Sequence, residues 1–272
     1  MKTVVIIPAR YGSTRFEGKP LALFDNGKSM VQCVYERARQ SKSVTDVVVA
    51  TDDQRIFDAV KGFGGKAVIT SPENRSGTDR VAEAAEKMGL DFDDIVVNIQ
   101  GDQPRIVPQH LDDVISPFMT CLPAGTAEPD LGMSTLAFKI VNKREITDPK
   151  DCKVTFDNQG FALYFSRSPI PCARFDTNIP FDTYKHLGIY AYTKRFLETF
   201  SKLPTGRLEQ IEKLEQLRAL EHGYRIRVVV TEYDSPEVDL PEDIERNQEN
   251  QGTGIRCQGL GIRSQMPSDP DS

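Results

Sequence analysis

Apolar runs alternate with amphipathic stretches through the first hundred residues. The pattern predicts buried strands at residues 4–8, 47–51, 66–70 and 95–100. It predicts helices at residues 30–40, along Ile56, Val60 and Phe63, and at residues 78–87. Continuous apolar strands that alternate with helices indicate a mostly parallel central sheet flanked by helices on both faces. The fold class is therefore α/β, and ligands are expected beyond the carboxyl ends of the strands.

The pattern changes after about residue 130. Residues 133–140, 153–156, 162–166 and 186–192 have the pattern of strands, separated by turns rich in Pro, Asp and Asn. We expect a β-rich insertion over about residues 130–192, of the kind that forms a substrate lid or a subunit contact. One amphipathic helix is predicted over residues 207–222, and Gly223 ends it. A strand at residues 225–231 follows, and Pro241 begins a last helix.

One domain is expected over residues 1–248. The remaining residues, 249–272, are rich in Gly, Ser and Gln without periodicity, which predicts a disordered tail. No apolar run approaches the roughly 20 residues needed to cross a bilayer, so no membrane insertion is expected. Pro8 and Arg10 also end the first apolar run too early for a signal peptide.

Composition narrows the class of function. The chain has 39% hydrophobic and 27% charged residues, as expected of a soluble protein. Its five cysteines form no CxxC pair, which favours reduced thiols and a cytoplasmic location. The formal net charge of −6 argues against a general nucleic-acid binder. It does not exclude small anions, because a local cluster of cations can hold a triphosphate.

A glycine-containing basic loop directly follows the first predicted strand. It reads PARYGSTRFEGKP, and backbone amides near Gly12 and Gly18 can approach an anion closely. Arg10 and Lys19 are suitable counter-charges for a triphosphate. The loop is not a Walker A motif, because Gly12 and Gly18 are one residue too far apart and Pro20 replaces the Ser or Thr. A flexible, solvated loop is the alternative interpretation.

Two aspartates are candidate metal ligands. Asp102 lies in the turn NIQGDQP just past a buried strand, where its carboxylate would face the ligand edge of the sheet. Asp239 precedes Pro241, so it could instead be the N-cap of a helix. Its pairing with Asp102 and the basic loop favours the metal role.

Other candidates have two interpretations. The SGTDR segment at residues 76–80 could cap a helix, and it could also present amides and Arg80 to a ligand. His186 begins a predicted strand, where an isolated histidine is more often a structural hydrogen-bonding group than a catalyst. No Ser/His/Asp or Cys/His nucleophilic set is recognisable.

Several motifs together resemble one enzyme family, the 3-deoxy-manno-octulosonate (Kdo) cytidylyltransferases, or CMP-Kdo synthetases. The similarity spans residues 3–247, and the motifs are IIPARYGSTRFEGKP, SGTDR, NIQGDQP, ALYFSRSPIP, HLGIYAY, IEKLEQLRAL and VDLPEDIE. The resemblance implies a fold like that of nucleotide-diphospho-sugar transferases and a homodimer built through the β-rich middle. It implies that CTP and Kdo react to give CMP-Kdo and pyrophosphate, a step towards lipopolysaccharide.

The resemblance also implies roles for individual residues. Asp102 and Asp239 would hold Mg²⁺, and with Arg10 and Lys19 they would form the catalytic set. CTP would contact Pro8, Ala9, Arg10, Gly12, Ser13, Lys19, Arg75, Ser76, Gly77 and Arg80. The sugar pocket would contain Gln100, Arg167, His186, Tyr190, Glu215 and Gln216, with Arg167 facing the sugar carboxylate.

Three departures from the family pattern leave the sugar open. Glu17 brings a carboxylate into the basic loop, Gln103 replaces a Glu, and Leu240 replaces a Thr. Gln103 together with HLGIYAY resembles a subgroup that uses 8-amino-3,8-dideoxy-octulosonate. Transfer to sialic acid or a sugar phosphate is another enzymatic alternative, and a non-catalytic nucleotide-binding regulator is the alternative from a different class.

Overall fold

The sheet that organises the molecule is mixed, and its first half is parallel. The computed structural model describes residues 1–12, 16–24, 26–119, 131–174 and 181–235. In these residues the strand order is β3-β2-β1-β4-β8-β5-β9, with β6 and β7 attached beside β8. The strands are β1 Thr3–Ala9, β2 Asp46–Thr51, β3 Ala67–Ile69, β4 Ile95–Asn98, β5 Met133–Lys139, β6 Lys153–Phe156, β7 Ala162–Ser166, β8 Tyr184–Thr193 and β9 Arg227–Thr231.

Helices cover both faces of this sheet, as predicted. They are α1 Met30–Ala38, α2 Gln54–Gly62, α3 Gly77–Lys87, α4 Pro108–Met119, α5 Arg144–Thr147, α6 Lys194–Lys202, α7 Arg207–Glu212 and α8 Leu217–Glu221. Strand β1 is buried along its whole length; Val4 and Ile6 pack on the α3 and α6 side, and Val5 and Ile7 pack on the α1, α2 and α4 side. The predicted α/β class is confirmed. No helix in the described ranges is both long and apolar enough to cross a membrane.

The strands predicted between residues 130 and 192 take part in the central sheet. Strand β8 runs antiparallel to both β4 and β5, and β5 pairs in parallel with β9. The register places Tyr190 opposite Asn98, the last residue of β4. Because β8 runs in the opposite direction, it brings its middle to the edge where the parallel strands end.

The prediction of one continuous helix over residues 207–222 is wrong. Helix α7 ends at Glu212, Lys213 has a left-handed backbone with φ 55°, and α8 begins only at Leu217. The guanidinium of Arg167 donates hydrogen bonds to the carbonyl oxygens of Glu212 and Lys213, at 2.7 Å and 3.4 Å. These bonds use carbonyls that a continuous helix would need for its own ladder. Glu215 and Gln216 lie in the turn at residues 213–216 that separates the two helices.

Some predictions lie outside the described residues. These are the helix starting at Pro241, the tail at residues 249–272, and the candidate site residues Ser13 and Asp239.

Candidate active site

A cavity of about 250 Å³ lies where strands β1 and β4 end and helix α3 begins. Its walls bring together residues that are distant in the sequence and that share one edge of the sheet. They are Pro8, Ala9, Arg10, Lys19, Pro20, Asn74, Arg75, Ser76, Gly77, Arg80, Gln100, Gly101 and Asp102. Most of the residues predicted to contact CTP are in this set, and Gly12 is not. The position beyond the carboxyl ends of parallel strands is the one expected for a ligand.

The basic loop closes on itself beside this cavity. The Gly18 amide donates a 2.9 Å hydrogen bond to the Tyr11 carbonyl. Gly18 has φ 72°, and a Cβ at this position would lie 3.1 Å from the Tyr11 ring and hydroxyl. Glycine is therefore needed for both the backbone conformation and the close contact. Outside the loop, the Arg55 guanidinium stacks 3.3 Å from the centroid of the Tyr11 ring.

Lys19 and Asp102 form an ion pair at the centre of the cavity wall. The Lys19 ammonium lies 2.7 Å from Asp102 Oδ2. Gly101 allows this turn to approach strand β1, since a Cβ there would lie 3.3 Å from the Pro8 carbonyl oxygen. A cation that can bind phosphate and a carboxylate therefore lie side by side.

Asp102 is suited to hold a divalent cation. Its Oδ1 atom is buried and accepts no hydrogen bond from the described residues. A buried carboxylate oxygen without a partner is costly, and a hard cation such as Mg²⁺ prefers oxygen ligands. In the part of the chain that the structure describes, no three His, Cys, Asp or Glu side chains form a metal-binding group. Asp239, the predicted second ligand, lies outside that part.

The start of helix α3 forms the opposite wall. Ser76 caps the helix, because its hydroxyl accepts a 3.1 Å hydrogen bond from the Asp79 amide. Gly77 packs against Pro8, where a Cβ would lie 3.4 Å from the proline ring. The N-terminus of α3 gives this wall a partial positive charge, which favours an anionic ligand.

Arg80 lines the cavity but also has structural partners. Its guanidinium donates to Thr70 Oγ1 at 2.6 Å and to Asp52 Oδ2 at 2.8 Å. The side chain is only 4% exposed. The guanidinium therefore links α3 to the ends of strands β2 and β3.

The residues predicted for the sugar cluster around strand β8. Tyr190 donates a 3.1 Å hydrogen bond from its hydroxyl to Gln216 Oε1. The His186 ring lies 5.3 Å from the Tyr190 ring, and its Nε2 lies 2.9 Å from Thr135 Oγ1. Burial lowers the pKa of His186 to about 3, so this imidazole is neutral at pH 7. It therefore acts as a neutral hydrogen-bonding group, as its isolation in the sequence suggests.

Glu215 connects the sugar cluster with the nucleotide wall. Its Oε2 accepts a 2.5 Å hydrogen bond from Thr78 Oγ1 in α3, and its Oε1 lies 3.4 Å from the Arg218 guanidinium. Burial raises the pKa of Glu215, against the opposing effects of Thr78 and Arg218. On the other side, Gln100 Nε2 lies 3.4 Å from Asn98 Oδ1 at the end of strand β4.

The Arg167 guanidinium is hydrogen-bonded to backbone carbonyl oxygens in this structure. Besides the carbonyls of Glu212 and Lys213, its guanidinium donates to the Pro149 carbonyl at 2.8 Å. Its backbone amide also donates to Glu212 Oε2 at 3.0 Å. Arg167 therefore holds the turn that carries Glu215, which is a role that its sequence motif does not suggest.

Sequence reasoning missed Asn98 and Arg218, and it considered Thr78 only within a capping segment. A signal was present for Asn98, because it is an amide at the last position of the buried strand IVVN. Thr78 and Arg218 are recognisable only from contacts across the fold.

The comparisons with known proteins agree with one another. A family model described as Cytidylyltransferase matches residues 4–226. A 3-deoxy-manno-octulosonate cytidylyltransferase from Desulfosudis oleivorans is 63% identical over 90% of this chain and 96% of its own length. An 8-amino-3,8-dideoxy-manno-octulosonate cytidylyltransferase from Shewanella sediminis is 58% identical over 90% of this chain and 96% of its own.

A solved structure gives the same result. CMP:2-keto-3-deoxy-manno-octonic acid synthetase complexed with CTP superposes with a TM-score of 0.82 at 41% identity. The match covers 92% of this chain and 98% of that one. At this identity the similarity extends beyond the fold.

Proposed function

This chain belongs to the cytidylyltransferase family, and we propose that it transfers CMP from CTP to 3-deoxy-D-manno-octulosonate (Kdo), releasing pyrophosphate. The product, CMP-Kdo, is an activated sugar for lipopolysaccharide synthesis. As a nucleotidyltransferase the chain is an enzyme, so a non-catalytic regulator is not favoured.

The observation that carries the proposal is the composition of the cavity. Lys19 and Asp102, 2.7 Å apart, face the capped start of α3 across a space that Arg10 also lines. Cations, an unpartnered carboxylate oxygen and helix amides are the groups that a metal-bound triphosphate requires. The relative solved in complex with CTP supports the choice of nucleotide.

In the proposed reaction the anomeric hydroxyl of the sugar attacks the α-phosphorus of CTP. A new oxygen–phosphorus bond forms, the bond to the β-phosphate oxygen breaks, and the hydroxyl proton passes to solvent. Positioning and charge stabilisation dominate such a transfer. Lys19 and Arg10 would offset the charge of the triphosphate, and Gly77 and Ser76 would hold the nucleotide by backbone contacts.

Mg²⁺ belongs to this proposal as the cofactor. Asp102 and Asp239 would be its ligands, and the bound ion would offset negative charge on the phosphates. The buried, unpartnered Oδ1 of Asp102 supports the first assignment.

The sugar would bind against strand β8 and the turn at residues 213–216. Tyr190, Gln216 and Glu215 offer hydroxyl, amide and carboxylate groups for a polyhydroxylated acid, and Gln100 joins them to the nucleotide side. Hydrogen-bonded side chains keep their positions before the substrate arrives, which lowers the ordering cost of binding. The neutral His186 would contribute a hydrogen bond without a charge.

The 8-amino sugar is the second candidate substrate. The similarity to the Shewanella relative supports it, and the two kinds of relative differ by only a few per cent in identity. A direct assay would use purified protein, Mg²⁺, CTP and either octulosonate, with pyrophosphate release as the measurement. We expect release with CTP and Kdo, slower release with the 8-amino sugar, and little with UTP. Absence of release with both sugars would overturn the proposal.

We also propose a cytoplasmic location and a homodimer. Cys33, Cys152 and Cys172 are free thiols, which supports a reducing compartment. Leu163 on β7 is 62% exposed, and among the described strands β7 pairs with β6 alone, which supports a subunit contact at the β-rich region. Analytical ultracentrifugation would test the dimer; a monomer at micromolar concentration would contradict it.

A further inference from the structure

One hydrogen bond joins the two halves of the site across a large sequence separation. Thr78 Oγ1 donates to Glu215 Oε2 at 2.5 Å, and the two residues are 137 positions apart. Thr78 lies in the first turn of α3, beside the Ser76–Gly77 wall of the nucleotide cavity. Glu215 lies in the turn between α7 and α8. The bond therefore links the element that would contact CTP to the element that would contact the sugar.

The Glu215 carboxylate is fixed from two sides. Thr78 is 3% exposed, so its hydroxyl has little access to water as an alternative partner. On the other side is Arg218, whose guanidinium binds Glu209 through bonds of 2.8 Å and 2.5 Å and lies 3.4 Å from Glu215 Oε1. A carboxylate near the start of a helix is also favoured by the helix dipole.

The same turn reaches the sugar cluster through the next residue. Gln216 is 3% exposed, and its Oε1 accepts the hydrogen bond from the Tyr190 hydroxyl. A displacement of α3's first turn would therefore move Glu215, and with it the amide that Tyr190 contacts. The chain of contacts is continuous from Ser76 to Tyr190.

We propose that Thr78 is a positioning residue that couples the nucleotide cavity to the sugar side through Glu215. The inference rests on the proposed function, because it needs two substrates at these places. A nucleotide that contacts Ser76 and Gly77 fixes the first turn of α3, and Thr78 then holds Glu215 in the orientation that receives the sugar. Because coupling between two binding sites is reciprocal, bound sugar also tightens CTP binding by the same factor.

The test is a matrix of initial rates in which CTP and Kdo are both varied. In the wild type we expect the KM for the sugar to fall as CTP rises. The variant Thr78→Val keeps the shape of the side chain and loses the donor. We expect it to raise the KM for the sugar roughly tenfold, as expected for a lost hydrogen bond to a charged group, with a smaller change in kcat. Its sugar KM should no longer depend on CTP.

Two further variants separate positioning from a general structural effect. Thr78→Ser restores the hydroxyl and should recover the wild-type coupling. In a Glu215→Ala background, Thr78→Val should change the sugar KM by less than about twofold, because residues that act through one another are not additive. Should Thr78→Val fail to fold, Thr78→Ala is measured against Thr78→Ser in the same way.

Different results would overturn the role of Thr78 and the proposed function. A Thr78→Val enzyme with wild-type sugar KM and coupling would overturn the role of Thr78, as would a full effect in the Glu215→Ala background. A wild-type enzyme that releases no pyrophosphate with CTP and either octulosonate would instead overturn the proposed function.

Discussion

Burial changes the pKa of two site residues in opposite directions. Burial disfavours the charged form of each side chain, which is the imidazolium of His186 and the carboxylate of Glu215. The pKa of His186 therefore falls and that of Glu215 rises. His186 stays neutral across the physiological range, whereas the burial that raises the pKa of Glu215 is opposed by the hydrogen bonds from Thr78 and Ser76 and by the charge of Arg218.

The low pKa of His186 predicts a pH dependence of stability. The unfolded chain takes up a proton near pH 6.5 and the native imidazole does so only at about 3, so the free energy of unfolding falls as pH drops through this window. Removing the imidazole in His186→Gln should make the dependence of the free energy of unfolding on pH shallower by up to about 1.4 kcal/mol per pH unit. Urea unfolding between pH 6.5 and 4.5 measures it.

The exposed His222 is the matched control for this prediction. His222→Gln removes an exposed imidazole and leaves His186, the carboxylates and His110 in place, so a change of slope that is specific to His186→Gln belongs to the His186 ring. Equal slopes for His186→Gln and the wild type would show that His186 is accessible to protons.

Gly18 is a second residue whose substitution has a calculable cost. In Gly18→Ala the φ of 72° is unfavourable by about 1–2 kcal/mol, and the new methyl group meets the Tyr11 ring. We expect lower stability together with a several-fold higher KM for CTP, because the basic loop must shift. Thermal unfolding and CTP titration measure the two effects.

Gly27→Ala is the control that separates backbone strain from displacement of the basic loop. Gly27 has φ 74° and open space around its Cβ position, so Gly27→Ala should lose similar stability and keep the KM for CTP. A raised KM in both variants would mean that backbone strain alone explains the effect.

At the scale of elements, the break between α7 and α8 is where sequence periodicity fails. Leu208, Ile211 and Leu214 continue a helical stripe, yet Ile211 is 65% exposed and Leu214 is 7% exposed. The carbonyls at the break are held by Arg167, which is more than 40 residues earlier in the chain. A pattern of apolar residues contains no information about such a partner. The apolar periodicity also did not predict helices α4 and α6.

The buried pair of Arg218 and Glu209 should stabilise the α7–α8 unit. Both side chains are about one-tenth exposed, at 8% and 11%. Removing one charge in Glu209→Gln leaves the buried Arg218 guanidinium with only its longer 3.4 Å contact to Glu215. Loss of the closer partner should cost up to about 3–5 kcal/mol. Denaturant unfolding would measure the loss.

An exposed ion pair provides the comparison. Arg195 and Asp93 are 66% and 87% exposed and lie 3.4 Å apart, so Asp93→Asn should change the free energy of unfolding by less than about 0.5 kcal/mol. Similar losses in Glu209→Gln and Asp93→Asn would contradict the claim that burial makes the first pair important.

For the whole molecule, the position of the cavity could be predicted and its fine connections could not. The carboxyl ends of β1 and β4 follow from strand order along the chain, so Arg10 and Asp102 were expected at one edge. Strand β8 enters the sheet antiparallel between β4 and β5, which places Tyr190 beside Asn98. That insertion depends on long-range pairing, and the contact of Thr78 with Glu215 likewise joins residues 137 positions apart.

The net charge of the chain and the local charge of the cavity predict opposite effects of salt on the KM for CTP. The whole chain carries −6, which repels CTP, whereas the cavity presents Arg10, Lys19 and Arg75. Salt screens both, over about 10 Å at 0.1 M. Because the local cations lie within contact distance of the bound phosphates, we expect the KM for CTP to rise between 0.05 and 0.5 M NaCl. A falling KM would mean that the net charge dominates.

The central claim is that Asp102, paired with Lys19, belongs to a metal-assisted site for nucleotidyl transfer. The most direct test is sugar-dependent release of pyrophosphate from CTP in Mg²⁺ by the wild type and Asp102→Asn, with thermal unfolding recorded for both. We expect the variant to keep its fold and lose at least about a hundredfold in kcat, as expected when a group that stabilises transition-state charge is removed. A folded Asp102→Asn enzyme with near-normal turnover would contradict the account.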